Sequence, residues 1–143
     1  MASTLPNGAA AHSPIEVSFP LPRAPQTNIH IQLRDNTTSI LLLLTTSAAE
    51  SSSSTPLGSF VYAMPNKSSP ANTYSTALFT HSATIDFTTR LSKVLARKIG
   101  KPVYVGNSIS FASAGMGGTV EEEMEGFRRC VEVVVGLLDK ESV

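Results

Sequence analysis

The chain of 143 residues is predicted to fold as one α+β domain, with a mostly antiparallel sheet of about six strands and two main helices on one face. Three observations predict this class. Five short strand-like segments lie between residues 15 and 80, two longer segments have helical periodicity, and one strand-like segment lies between the two helices. The third predicted strand, 39–46, further indicates that the other face of the sheet packs against the sheet of a partner.

The N-terminal residues, 1–13, are predicted to form a flexible tail, so that the domain spans 14–143. Apolar and polar residues alternate over 15–19, which is typical of a short strand. We expect Pro20 to stop this strand, because proline donates no hydrogen bond to a sheet.

Residues 28–34 and 39–46 are predicted to form an antiparallel hairpin. The residues between them, 35–38, include Asp and Asn, which bond their own backbone and tolerate left-handed conformations. The serine-rich segment that follows, 47–57, has low complexity and is predicted to be a flexible loop.

Further strands are predicted at 59–64 and 73–80, followed by a helix at 86–99. In this helix apolar residues recur at i, i+4, i+7 and i+8, so one face is apolar. Thr84 or Asp86 is expected to cap its first turn.

Gly100 is expected to end that helix in the left-handed conformation. The strand that begins at Val103 is expected to run through Phe111, with a break at Gly106 and Asn107. The last helix is predicted at 119–138 and begins with a T-x-x-E capping box at Thr119. One apolar stripe is formed at a 4-3-4-3-4 spacing by Val120, Met124, Phe127, Val131, Val134 and Leu138.

The segment from Ile40 to Leu44 lacks the polar alternation expected of an antiparallel strand with one hydrated face. Its side chains point alternately to the two faces, with Ile40, Leu42 and Leu44 on one side and Leu41 and Leu43 on the other. Two helices cover only one face, and each leucine left exposed forgoes about 1.5–3 kcal/mol of burial. We therefore favour a partner sheet over a strand buried on both faces within one domain; the pattern leaves open which set faces the partner.

Composition argues against several classes of function. The formal net charge is zero, whereas a nucleic-acid binder needs a positive surface. The N-terminus lacks the pattern of a signal peptide, and the longest apolar run is too short for a membrane span. The single cysteine, Cys130, permits no intrachain disulfide and suits the cytosol or nucleus.

No catalytic constellation emerges from the sequence, so we predict neither enzymatic activity nor a cofactor or metal. The loop from Gly115 to Gly118 matches neither G-x-G-x-x-G nor a Walker sequence, although a small ligand- or nucleotide-binding domain using it is the alternative hypothesis. Cys130 lies beside the apolar stripe and is expected to be buried or half-buried. Metal-ligand spacing is absent among the histidines, His12, His30 and His81.

Charges are segregated along the chain. Residues 90–101 carry five basic side chains, whereas from residue 119 onward there are seven acidic side chains and three basic ones. Two solvated helix faces explain this pattern most simply, and a docking surface that selects a partner is the alternative. The basic side chains are Arg90, Lys93, Arg97, Lys98 and Lys101.

Two segments, VLARKIGKPVYVGNS at 94–108 and VEEEMEGF at 120–127, resemble the C-terminal half of the proteasome assembly chaperone 4 family in its divergent fungal form. The resemblance implies a sheet with helices on one side, paired through facing sheets with a homologue, proteasome assembly chaperone 3. It implies that the heterodimer holds α-type subunits, chiefly the fifth, while the 20S α-ring assembles. A homodimeric scaffold is a further alternative.

Two sets of site residues follow from these hypotheses. The dimer face is expected to include either Leu41 and Leu43 or the alternate set, Ile40, Leu42 and Leu44. Docking of the proteasome subunit is assigned to the basic residues Arg97, Lys98 and Lys101.

Overall fold

A computed structural model describes residues 13–21, 24–48, 57–69, 71–110 and 120–141. These residues form six strands and two helices. In chain order the elements are β1 (Ile15–Leu21), β2 (Ala24–Asp35), β3 (Ile40–Ala48), β4 (Ser59–Met64), β5 (Tyr74–Phe79), α1 (Ile85–Ile99), β6 (Val103–Asn107) and α2 (Val120–Glu141).

The six strands form one sheet in the order β1-β2-β3-β6-β4-β5. All neighbours are antiparallel except β3 and β6, which run parallel at the centre. The predicted α+β class, the six-stranded and mostly antiparallel sheet and the β2–β3 hairpin are therefore confirmed. Pairing of this sheet with a partner sheet stays a prediction.

Several strand ends differ from the prediction. β1 continues through Pro20 to Leu21, because it is an edge strand and only one side of it carries ladder hydrogen bonds. β3 extends to Ala48, which pairs with Thr27, so the first two residues of the predicted serine-rich loop are strand. Residues 49–56 of that loop lie outside the described residues, as do 1–12 of the predicted tail.

β6 ends at Asn107, where a break was expected, and Phe111 lies outside the described residues. The Asn107 side chain explains this end of the strand. Its Oδ1 accepts a hydrogen bond from the N–H of Ile109 at 3.1 Å, which turns the chain, and its amide donates to Thr88 Oγ1 at 3.2 Å. Asn107 is fully buried, so both hydrogen bonds compensate for its desolvation.

The start of α1 differs from the predicted cap. Thr84 occupies the N-cap position, but its side chain makes no capping hydrogen bond. Its hydroxyl instead bonds Ser59 Oγ at 2.8 Å, joining the helix start to β4. At the other end Gly100 is left-handed as predicted, with φ 77°, and its N–H donates to the carbonyl of Ala96.

Both helices pack on the same face of the sheet. The buried side chains of that face come from alternate positions of β2, β3 and β6, and they form one core with the inner sides of the helices. The main members are Ile29, Ile31, Leu33, Ile40, Leu42, Leu44, Val103, Val105, Leu91, Leu95, Cys130 and Val134.

The apolar stripe predicted for α2 is only partly core. Val120 is 71% exposed and Met124 is 55% exposed. The buried positions of α2 instead recur at every fourth residue, at Glu122, Gly126, Cys130 and Val134. The larger stripe lies toward α1, where the Phe127 ring contacts Phe87.

Cys130 is predicted to be chemically inert in the folded protein. Burial raises the pKa of its thiol from 9.0 to about 12, so almost no thiolate forms near neutral pH. Unfolding releases this proton more readily, so the contribution of Cys130 to stability is present below pH 9 and is lost as pH rises from about 9 toward 12. Alkylation by iodoacetamide, followed by mass spectrometry, should require denaturant.

A matched control is the double variant Cys130→Ala with Glu132→Cys, which moves the thiol two residues along α2 to an exposed position. We expect this thiol to react in the absence of denaturant. Equal labelling rates for the native and the moved thiol would contradict the burial of Cys130.

Candidate protein-interaction site

The side of the sheet opposite the helices is here called the open face. The structure assigns the two side-chain sets of β3 to different faces. Ile40, Leu42 and Leu44 are buried beneath the helices, with exposures of 1%, 0% and 3%. Leu41 and Leu43 lie on the open face and are half-buried. The alternative in which Ile40, Leu42 and Leu44 meet a partner is therefore wrong for this fold, because the chain's own core contains them.

The cross-strand neighbours of Leu41 extend the apolar surface across the centre of the sheet. Leu41 is opposite Tyr104 of β6, and Tyr104 is opposite Tyr62 of β4. The rings of Tyr62 and Tyr104 have centroids 4.8 Å apart, and those of Phe60 and Tyr104 are stacked at 6.1 Å. The result is an aromatic cluster beside the leucines.

A second row crosses the same strands through Gly106. Leu43 is opposite Gly106, and Gly106 is opposite Phe60. A Cβ on Gly106 would lie 2.5 Å from Cδ1 of Leu57 and 2.8 Å from Cδ2 of Leu43. The glycine therefore lets both leucines lie against the sheet, and Leu57 stays 45% exposed.

The apolar part of the open face continues to the edge strand β5. Met64 pairs with Tyr74, and Phe60 pairs with Phe79. Tyr74 and Phe79 are 57% and 59% exposed, and Met64 is 40% exposed. A continuous apolar surface over four strands is typical of a protein-interaction site.

The β1–β2 side of the open face is polar. His30 Nδ1 lies 2.7 Å from Ser18 Oγ, and its Nε2 lies 2.5 Å from Ser47 Oγ, so the ring links three strands. Ser108 Oγ donates to Thr45 Oγ1 at 2.8 Å. A cavity of about 370 Å³ lies where this polar part meets Leu43 and Gly106. The open face thus has distinct polar and apolar halves, which would restrict how a second sheet can align.

The structure does not gather the three predicted basic docking residues into one patch. Arg97 lies beside the β4–β5 connection, with Asn66, whereas Lys98 lines a groove between the two helices. The ammonium of Lys101 is 3.6 Å from a carboxylate oxygen of Asp35.

No group of three His, Cys, Asp or Glu side chains in the part of the chain that the structure describes could hold a metal ion, and no buried side-chain nitrogen or oxygen there lacks a hydrogen-bond partner. Neither described helix combines the length and apolarity needed to cross a bilayer. The loop from Gly115 to Gly118 lies outside the described residues, as does Thr119 of the predicted capping box.

Comparison with known proteins gives matches of two kinds. The family model for proteasome assembly chaperone 4 matches residues 28–109, which is more than half of the chain. A chain in the crystal structure of a novel chaperone complex for yeast 20S proteasome assembly superposes with a TM-score of 0.63. The two chains are 17% identical, and the match covers 92% of this chain and 98% of that chain. At this identity the match establishes a shared fold, and no curated protein matches the sequence.

Proposed function

Because the chain belongs to the proteasome assembly chaperone 4 family, we propose that it is a non-catalytic subunit of a heterodimeric chaperone for the 20S proteasome α-ring. The partner is a homologous chaperone of the chaperone 3 type. The clients are proteasome α-type subunits, chiefly the fifth, and the complex acts in the cytosol or nucleus without a nucleotide or metal.

The observation that carries this proposal is the open face. Its apolar half covers four strands, and no described element of the chain lies over it. Packing a second sheet against it would bury Leu41 and Leu43 together with the aromatic cluster. The polar half, held by the hydrogen bonds of His30, supports one orientation of the partner sheet over others.

Client binding is assigned to the basic end of α1 and the residues after it. Arg97 and Lys98 are exposed in the last turn of α1, and Lys101 follows Gly100. Their different orientations suit a client surface that wraps around this end of the helix rather than a single acidic spot.

Co-expression with a chaperone 3 homologue tests the proposal. We expect a 1:1 heterodimer that captures purified α-type subunits offered one at a time, with the fifth captured best. Reversing the charges of Arg97, Lys98 and Lys101 to Glu should weaken capture by about tenfold or more at low salt, while Lys93→Glu on the same helix should have little effect.

Two results would contradict parts of the proposal. A well-folded monomer at micromolar concentration that binds no apolar dye would remove the basis for a dimer. A triple variant that captures the subunit as well as the wild type at low and moderate salt would exclude the basic residues as the docking site.

A further inference from the structure

A groove of about 510 Å³ lies between α1 and α2, on the side of the molecule opposite the open face. Apolar side chains from both helices make its floor, and charged side chains make its rim. The floor residues are Val94, Met124, Phe127 and Val131, and the rim residues are Arg90, Lys98, Arg128 and Glu132.

The floor of this interhelical groove is held in place by contacts around Phe127. The Phe127 ring packs edge-to-face on Phe87, with centroids 5.4 Å apart and an interplanar angle of 77°. The guanidinium of Arg90 lies 5.4 Å from the Phe127 centroid and 3.5 Å from a carboxylate oxygen of Glu123. Met124, beside it, is 55% exposed and can adapt to a bound side chain.

The rim has an excess of positive charge. Lys98 and Arg128 form no ion pair with a carboxylate among the residues that the structure describes, and Glu132 is the single acidic residue that lines the groove. The segments outside the described residues contain one acidic side chain, Glu50. The positive rim is complementary to acidic side chains of a second molecule.

The walls of the groove favour a helix over an extended chain. All eight lining residues belong to α1 or α2, whose backbone groups bond along their own helix. An extended segment would find few main-chain partners there, whereas a helix bonds its own backbone and needs only apolar contacts and charges from the groove.

We propose that the interhelical groove binds an amphipathic helix of the α-type subunit that the chaperone holds, with acidic residues bordering the apolar side of that helix. This inference rests on the proposed function and deepens it, because it identifies the client segment by its chemistry. The apolar side chains contact Met124, Phe127 and Val131, and the acidic residues face Lys98 and Arg128. Because the groove and the open face lie on opposite sides, the dimer partner and the client bind at the same time.

Capture of purified α-type subunits by the intact heterodimer tests this inference. Met124→Lys, Lys98→Glu and Arg128→Glu change exposed groove residues and should each weaken capture of the best-bound subunit by about tenfold. Val120→Lys, one turn before Met124 and outside the groove lining, and Lys93→Glu are matched controls that should stay within about twofold of the wild type.

A photo-crosslinking residue at position 124 identifies what occupies the groove. The linked peptide should come from a helical part of the α-type subunit and carry acidic residues next to its apolar side. The Lys98→Glu and Arg128→Glu variants should also show a weaker salt dependence of capture than the wild type.

Three outcomes separate failure of this inference from failure of the proposed function. Equal capture by the groove variants and their controls, with strong wild-type capture, overturns the groove assignment alone. A crosslink to a neutral or basic segment does the same. No capture of any α-type subunit by the wild-type heterodimer overturns the proposed function, and the groove assignment with it.

Discussion

Replacing Leu43 by aspartate is expected to abolish heterodimer formation at micromolar concentration while the single chain stays folded. Leu43 lies at the centre of the open face, between Gln32 of β2 and Gly106 of β6. It is only half-buried in the single chain, so water can still reach a carboxylate there. In the heterodimer the same carboxylate would be buried without a partner.

An uncompensated buried charge costs about 3–5 kcal/mol, which corresponds to a dissociation constant at least about 100-fold higher. Sedimentation velocity and isothermal titration of the two purified chains measure this directly. Gln32→Asp is the matched control, because it introduces the same charge at the cross-strand neighbour, in the polar half of the face. Wild-type affinity of the Leu43→Asp variant would show that the partner does not cover Leu43.

Replacing Gly58 by alanine is expected to be among the most destabilising single changes in the chain. Gly58 has φ 76°, and a Cβ there would lie 2.1 Å from the carbonyl oxygen of Asn107 and 2.8 Å from Cα of Ser108. Both obstacles are backbone atoms, and Asn107 is fixed by its own hydrogen bonds to Thr88 and Ile109. The start of β4 must therefore move away from the end of β6.

Gly100→Ala separates the clash from the cost of the backbone conformation. Gly100 has φ 77°, and nothing lies within 4 Å of the position its Cβ would take. We expect Gly100→Ala to lower the free energy of unfolding by about 1–2 kcal/mol, the cost of a left-handed residue. Gly58→Ala should lower it by about 3 kcal/mol or more, a large part of the stability of a small domain.

Urea denaturation of both variants, followed by circular dichroism, gives the comparison. A lower midpoint at an unchanged slope indicates a loss of stability without a change of the folded state. If the two alanine variants lose the same free energy, the conformation alone explains the effect, and the close approach to Asn107 is relieved without cost.

The sequence was sufficient to predict that β3 has two apolar faces, but not which face is the core. Which set of β3 side chains faces the core depends on the hairpin register, in which Asp35 pairs with Ile40 and Leu33 pairs with Leu42. A shift of one residue in this register would exchange the two faces of β3. The turn that sets it is also not obvious from composition, because Thr37, rather than the expected Asn, takes the left-handed conformation, with φ 72°.

The aromatic cluster was missed because its members meet only through long-range pairing. Phe60 and Tyr62 come from β4, and Tyr104 comes from β6, which enters the sheet between β3 and β4. A local signal did exist. β4 has apolar residues on both of its faces, since Val61 is buried and Tyr62 lies on the open face. This is the same two-faced pattern that identified β3.

The interhelical groove also could not be predicted from the periodicity of the helices alone. The 4-3-4-3-4 stripe of α2 identifies an apolar side but not how that side divides between the sheet, α1 and solvent. In the structure Val134 of the stripe is buried and Met124 is exposed, while Gly126 and Cys130, outside the stripe, are buried.

The central position of β6 has a consequence for how the molecule is made. Before Val103–Asn107 has been synthesised, the nascent chain contains a β1–β3 meander and a β4–β5 hairpin that share no strand, and both have an unpaired inner edge. β6 is synthesised later and pairs with β3 and β4. Its pairing with β3 spans a long stretch of chain, and strand pairing over such a sequence separation is slow. The leucines of β3 and the aromatic residues of β4 form one apolar surface only at that step. An incomplete chain therefore does not yet present the apolar half of the open face to a binding partner.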